Sequence, residues 1–433
     1  MKTVLKIFLC LVFLSVLAYD SLAMEIEVTI SKNIDRKIRI TALPTFSEKI
    51  SAKLLREIYS VIKFDLRYCG YFELWPKKRL PKEASKRYKK YQQMDYDFWI
   101  NYGTEMLLKG AVCEKDRDLT INLYFYDIAS QEIFIELYAE GDKSDLRGMV
   151  HKLTGKLIEK ISGRPSITTT KIAYVCQQRD AKNIFYMDYD GKNKRQLTFG
   201  DYLNLSPSWD KSTDSILFMS YMQNYPFIYE KNIHTKEIKL LSGKPGLNAF
   251  PSVSPDGEKI ALTLSISGNP EIYIIDRNGE IITRVTYNKA VDNSPVWSPD
   301  GQKIAFVSDR TGTPQIYVAD LMRKTAKRIT YRGNYNTSPD WSPIKNSPYI
   351  VYSSLYGKNS ELCIVNANTG KTRRLTTTLE SEEDPFWAPD GIHVSYTLTQ
   401  NFKSDIYFMD VRDKSSVKLT GGKNNYSSSS WRQ

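Results

Sequence analysis

The chain has 433 residues, room for two or three domains with a sizeable core, and 61 Lys and Arg against 49 Asp and Glu give a net charge of +12. Hydrophobic residues at 41% and charged residues at 25% exclude both a highly charged disordered chain and a bundle of membrane spans. No two of the five cysteines sit at CxxC or metal-ligand spacing, which argues against a zinc domain.

In chain order, Lys2 and Lys6 precede an apolar run over 7–17, and Ser21-Leu22-Ala23 offers a small-x-small cleavage site. The run is too short to span a bilayer comfortably, so it predicts a signal peptide (1–23) cut after Ala23 and an exported protein. No later segment is apolar enough for a membrane helix, and direct membrane insertion is not expected. Cys10 would leave with the signal. Cys69, Cys113, Cys176 and Cys363 are expected as buried free thiols.

A small α/β domain is predicted over 24–163. Glu25, Ile26, Glu27 and Val28 open an alternating stretch with the period of a half-buried strand. Apolar residues at helical spacing predict a helix over 47–64 with Ser47 as N-cap, and another over 144–161. Three strand-like runs lie between them, at 105–113, 119–127 and 132–138. A basic run from Lys77 to Lys90 reads as a solvated helix or loop, or as a surface for an acidic partner; an exported protein is not expected to meet nucleic acid. Gly163-Arg164-Pro165-Ser166 reads as a linker.

From 164 to 433 a unit repeats. Its anchors are Trp209, Val253, Trp297, Trp341, Trp387 and Trp431, spaced by 44 residues apart from one gap of 46. A period of about 40–45 residues with several short strands per unit is the mark of a β-propeller. Pro stands two residues before most anchors, and Ser254-Pro255-Asp256-Gly257, Ser298-Pro299-Asp300-Gly301 and Ala388-Pro389-Asp390-Gly391 form turns after them. Pro presets φ at the second turn position and Gly suits the exit, which predicts a type I turn closing a hairpin.

Each unit continues with an apolar strand, then a strand ending in Asp or Asn (Asp188, Asn232, Asp276, Asp320, Asn366, Asp410), then a strand marked by Leu197, Leu241, Val285, Ile329, Leu375 or Leu419. Arg or Lys mostly precedes these last residues, and cations on an outermost strand discourage pairing between edges. The count gives an all-β propeller of six four-stranded blades. The first unit lacks its first strand and the sixth copy of that strand ends the chain, so the C-terminus should complete the first blade and close the ring. The tryptophans are expected between blades.

Catalytic signals are scarce. His151, His234 and His393 are too dispersed for a zinc cluster, and there is no GxSxG, GxxxxGK[ST] or HExxH. Asp256, Asp300 and Asp390 read as turn formers. No enzyme activity, metal or cofactor is expected. The innermost strand of each blade lines the central channel, so residues leading into it rim one mouth. The candidates there are Asn204, Leu247, Asn248, Phe250, Asp292, Asn293, Asn336, Glu382, Glu383 and Asn425. Apolar side chains beside polar ones at such a mouth suit a protein partner.

Signal, small α/β domain and six units of the form seen at Pro295-Val296-Trp297-Ser298-Pro299-Asp300-Gly301 together resemble the TolB family of the Gram-negative Tol–Pal envelope system. The resemblance covers essentially the whole chain. It implies a monomeric, non-enzymatic periplasmic adaptor supporting outer-membrane integrity and invagination during cell division. The propeller mouth would bind Pal, a peptidoglycan-associated lipoprotein. The segment from Met24 to about Asp35, with Glu25, Ile26, Glu27 and Val28, would bind the inner-membrane protein TolA. An exported propeller hydrolase or carbohydrate-binding protein is the alternative, and a membrane-surface binder using the Lys77–Lys90 run is a third reading.

Overall fold

The structure, a computed structural model, describes residues 36–43, 50–76, 94–210 and 212–432. The expected signal with Ala23, the stretch holding Glu25, Ile26, Glu27 and Val28, the Ser47 cap and the Lys77–Lys90 run lie outside the described residues. Arg36–Gln433 forms one compact unit, an α/β layer joined to a ring of blades.

The α/β layer is a five-stranded mixed sheet. Strand β1 (Ile38–Ala42) runs parallel to β2 (Phe72–Leu74) on one side and to β3 (Met106–Lys115) on the other. An antiparallel meander through β4 (Asp118–Asp127) and β5 (Glu132–Asp142) completes it. The three meander strands match the sequence expectation. Strand β1 was not expected, because Arg36, Lys37 and Arg39 hide its alternation, although Ile40 is fully buried.

Helix α1 spans Ala52–Tyr68, later at both ends than the 47–64 expectation. Ser51 supplies the cap by accepting from the Leu54 amide at 3.3 Å, and Asp65 and Leu66 carry the buried face past residue 64. A short helix, α2 (Tyr96–Tyr102), was missed by its brevity. Helix α3 (Leu146–Ser162) packs on α1 and on β5, and ends at Gly163 with φ 64°.

The ring has six four-stranded blades. Blade one contains Lys171–Gln178, Ala181–Asp188 and Arg195–Gln196, and its innermost strand is Asn425–Trp431 from the far end of the chain. Blades two to six begin with Asn204–Asp210, Asn248–Val253, Asp292–Trp297, Asn336–Trp341 and Ser381–Trp387. The turns form as expected: Gly257, Gly301 and Gly391 donate back to Ser254, Ser298 and Ala388 at 2.9–3.0 Å. The terminal Asp or Asn of the third strand also acts as predicted, as when Asn232 Oδ1 accepts from the His234 and Thr235 amides.

Each anchor tryptophan packs between blades. Trp209 sits with Ala173, Ile184 and Tyr186 of blade one, and Trp297 with Ala261 and Ile272 of blade three. Trp431 is fully buried against Phe408 of blade six and Ile172 of blade one, so the last anchor seals the ring. Full burial of such a ring is worth about 3–5 kcal/mol on truncation to Ala.

Two expectations need correction. Cys69, Cys176 and Cys363 are buried free thiols, but Cys113 is exposed, because its position on β3 faces the outer side of the sheet beside Thr120. The outer-strand cations do more than guard an edge. Arg284, Arg374 and Lys418 reach back to Glu271, Glu361 and Asp405, carboxylates buried at the start of the neighbouring strand. Part of the excess positive charge therefore neutralises buried acids.

Candidate partner-binding face

Strands within a blade are antiparallel, so the links from the outermost strand to the next blade and the hairpins between the second and third strands share one end of the ring. The α/β layer occupies the other end. There Lys37 pairs with Asp413 at 2.6 Å and Arg412 donates to the Gly70 carbonyl at 2.7 Å. Phe64 and Tyr68 of α1 pack on the core of blades one and six. The mouth that the sequence nominates is thus the end away from the α/β layer.

Five nominated mouth residues are turned into the blades. Just past the outermost strand, Thr198, Thr286, Thr330, Thr376 and Thr420 accept the amide of a third-strand residue, Ile184, Ile272, Ile316, Leu362 or Ile406, at 2.8–3.0 Å. Side chains at the start of the third strand and the first residue of the next blade complete this corner. Asn204 bonds Asn183 at 3.1 Å, Asn336 bonds Gln315 at 2.8 Å, and Asn248 accepts from Ser242 at 2.6 Å. Asp292 accepts from Arg310 at 2.7 Å, and Glu382 from Thr378 at 2.5 Å. All five are buried, and burial pushes the Glu382 carboxyl above the usual range against the pull of Thr378 and Thr376. These side chains tie neighbouring blades together.

The other candidates reach the surface or the channel. Leu247, Asn293 and Asn425 are half-buried, and Glu383 is exposed and accepts from Ser360 at 3.0 Å. Phe250 holds a left-handed backbone with φ 51°, as do Ser206, Ser294, Ser338, Asp384 and Ser428 at the same place in the other blades. These six residues line a central channel of about 300 Å³. Asp384 accepts from Ser338 and Ser428 of the flanking blades at 2.9 Å each. A hollow of about 430 Å³ opens beside it, walled by Tyr335, Thr337, Ser353, Leu355, Ser360 and Glu383.

Around this mouth the links carry exposed apolar side chains that the sequence reading passed over. Leu379 is 91% exposed, Tyr287 72%, Tyr331 65% and Phe199 63%, and Phe402 stands 96% exposed on a hairpin of the same end. Arg284 stacks over Tyr287 at 4.6 Å and Arg328 over Tyr331 at 4.9 Å, holding these rings upright. The signal was available: an aromatic directly after the corner threonine in Thr198-Phe199, Thr286-Tyr287 and Thr330-Tyr331. Exposed aromatics ringed by polar groups are the composition of a protein-binding surface.

Among the described residues, no group of three His, Cys, Asp or Glu is arranged to hold a metal ion, and no helix is long and apolar enough to cross a membrane.

Residues 158–433 match the family described as the TolB beta propeller domain, and residues 26–134 match the TolB amino-terminal domain. The chain belongs to the TolB family. Tol-Pal system protein TolB of Desulfosudis oleivorans is 28% identical over 191 residues, 44% of this chain and 43% of that protein. The same-named protein of Rickettsia canadensis is 31% identical over 176 residues, 40% of each chain. The chain thus spans about half the length or less of these curated relatives. The crystal structure of TolB from Acinetobacter baumannii superposes with a TM-score of 0.80 over 92% of this chain and 97% of its own, at 24% identity, which shows a shared fold. These curated relatives carry the name of the Tol–Pal system.

Proposed function

We propose that this protein is a non-enzymatic periplasmic adaptor, monomeric and without a cofactor, working through two contact surfaces. Pal would seat on the open mouth of the propeller, against Phe250, Asn293, Glu383 and the exposed rings of Tyr287 and Tyr331. TolA would take the segment from Met24 to about Asp35, including Glu25, Ile26, Glu27 and Val28, once cleavage after Ala23 frees it. The α/β part (24–163) and the propeller (164–433) then serve different partners, and the whole supports outer-membrane integrity and invagination at division.

The observation that carries this reading is the asymmetry of the ring: one end is covered by the α/β layer, while the other presents exposed aromatics around a channel mouth. The buried candidates Asn204, Asn248, Asp292, Asn336 and Glu382 would shape that mouth without touching a partner, and Leu247 and Asn425 would sit at its rim.

The test is calorimetric titration of the chain from Met24 with the soluble domains of Pal and TolA from the same cell. One-to-one binding of both supports the proposal, with TolA binding lost on deletion of residues 24–35. If Pal and TolA compete or assist each other, the deletion should also change Pal affinity, because coupling between two sites is reciprocal. Absence of binding to either protein would overturn the adaptor reading.

A further inference from the structure

Two of the three histidines, His151 and His393, are buried where the α/β layer meets the propeller, while His234 is exposed in a blade-two turn. His151 on α3 places Nδ1 3.0 Å from both carboxylate oxygens of Asp65 on α1. Its Nε2 makes no hydrogen bond within the protein and faces Asp190, in a turn of blade one, at 3.7 Å. Arg147, one turn earlier on α3, pairs with the same Asp190 carboxylate. Thr154 and Tyr189 donate their hydroxyls to Asp65, and the Tyr189 ring meets the imidazole edge-on at 5.4 Å. The buried Cys69 thiol, pushed up to about 12 by burial, is the remaining titratable group beside Tyr189.

His393 repeats the arrangement on blade six. Its Nδ1 lies 2.6 Å from Asp390 Oδ2, while Asp390 Oδ1 accepts the Ile392 and His393 amides. Asp410 is its partner on the adjacent strand and bonds Arg412 at 2.7 Å. Arg412 also donates to Gly70 and lies over the Tyr71 ring at 5.1 Å, both in the α/β layer. Arg164, on the link between the two parts, donates to the Asp390 backbone carbonyl at 3.1 Å and leaves its carboxylate to His393.

The His151 cluster holds two aspartates, one arginine and one histidine, whereas the His393 cluster has Arg164 as well as Arg412 beside its two aspartates. The His151 cluster sums to zero charge only when the imidazole is protonated; a neutral imidazole leaves a surplus negative charge sealed between the layers, where an unpaired charge is costly. Only the His151 cluster draws its charged groups from both sides of the seam, Asp65 and Arg147 from the helices and Asp190 from blade one; His393, Asp390, Asp410 and Arg412 all stand on blade six.

We propose that docking of the α/β layer on the propeller is proton-linked: His151, which faces Asp190 across the seam, carries a proton in the docked form and releases it as the seam opens. Burial alone would lower both imidazoles, but Asp65 and Asp190 around His151, and Asp390 and Asp410 around His393, outweigh it and raise them. A raised histidine contributes stability that is complete below about 6.5, the ordinary value, and is lost as pH rises through the folded value. Asp190, raised by burial, adds a loss in the same direction at lower pH. Asp390, held low by His393 despite its burial, contributes fully above the ordinary carboxylate range and loses that contribution as pH falls through its lowered value, which sets the acid edge. The seam is thus tightest in mildly acid conditions.

The test is an NMR titration of the three imidazoles in the chain from Met24, with hydrogen exchange of α1 and α3 measured against blade three. The His151 imidazole should titrate above the ordinary value of about 6.5. Protection of α1 and α3 relative to blade three should fall by about tenfold per pH unit between about 6.5 and the folded value of His151, one proton being released, and level off above it. His151→Gln should flatten that fall, whereas His393→Gln, in a cluster that stays with blade six, should leave it. A His151 imidazole that titrates at or below about 6.5 would overturn the proposal, as would a slope unchanged in His151→Gln. Should the variants not fold, the titration of the unaltered chain decides alone.

Discussion

Asp340 is fully enclosed in the wall of the channel, where its Oδ2 accepts the Trp387 amide of the next blade at 2.7 Å. No cation pairs with it among the described residues, and burial pushes its carboxyl up to about 8. A carboxyl raised on folding costs stability progressively as pH climbs above about 4 toward the folded value. Asp340→Asn keeps an oxygen for Trp387 and removes the ionisation. Its melting temperature relative to the parent should therefore rise between pH 5 and pH 8.5, with a gain on the order of a few kcal/mol at the upper end. Parallel melting curves would contradict this. Asp292 is the opposite case, buried and ion-paired with Arg310. Asp292→Asn leaves the guanidinium without its counter-charge and should cost roughly 3 kcal/mol in denaturant unfolding. It should not weaken a mouth contact, because the side chain does not reach the surface. The sequence marked Asp292 and Glu382 as mouth residues because position along the strand was readable. Which face the side chain takes depends on partners 6 to 18 residues away, Thr376 for Glu382 and Arg310 for Asp292, which the repeat pattern does not reveal.

At the scale of elements, the propeller was legible because its constraints are local and repeated. An apolar run recurs in every blade, an anchor tryptophan in five with Val253 in the sixth, and a Pro-Asp-Gly turn in three, and the strand that closes the ring was readable from the missing first copy. Its contribution is testable. Trp431→Ala should lower stability by about 3–5 kcal/mol, whereas removing residues 425–433 should abolish cooperative unfolding, since blade one would lose its innermost strand. Retention of a parent-like transition without those residues would show that the closure is dispensable. The α/β layer was less legible. Strand β1 and helix α2 have no repeats to average over, and charged or aromatic residues dominate their short stretches.

At the scale of the whole molecule, the two ends of the ring do different work. The covered end joins the α/β layer to blades one and six through buried polar clusters that sequence alone could not assemble, since Asp65, His151 and Asp190 lie on three separate elements. The open end carries exposed rings at positions where packing asks for nothing apolar. If that end is the partner surface, surface truncations should cost affinity and leave the fold alone. The most direct measurement compares the affinity of Pal for the unaltered chain with that for a Phe250→Ala, Tyr287→Ala, Glu383→Ala variant by calorimetry, with melting curves on both. The account predicts at least a tenfold loss of affinity at an unchanged melting temperature. Full affinity in the variant would contradict it.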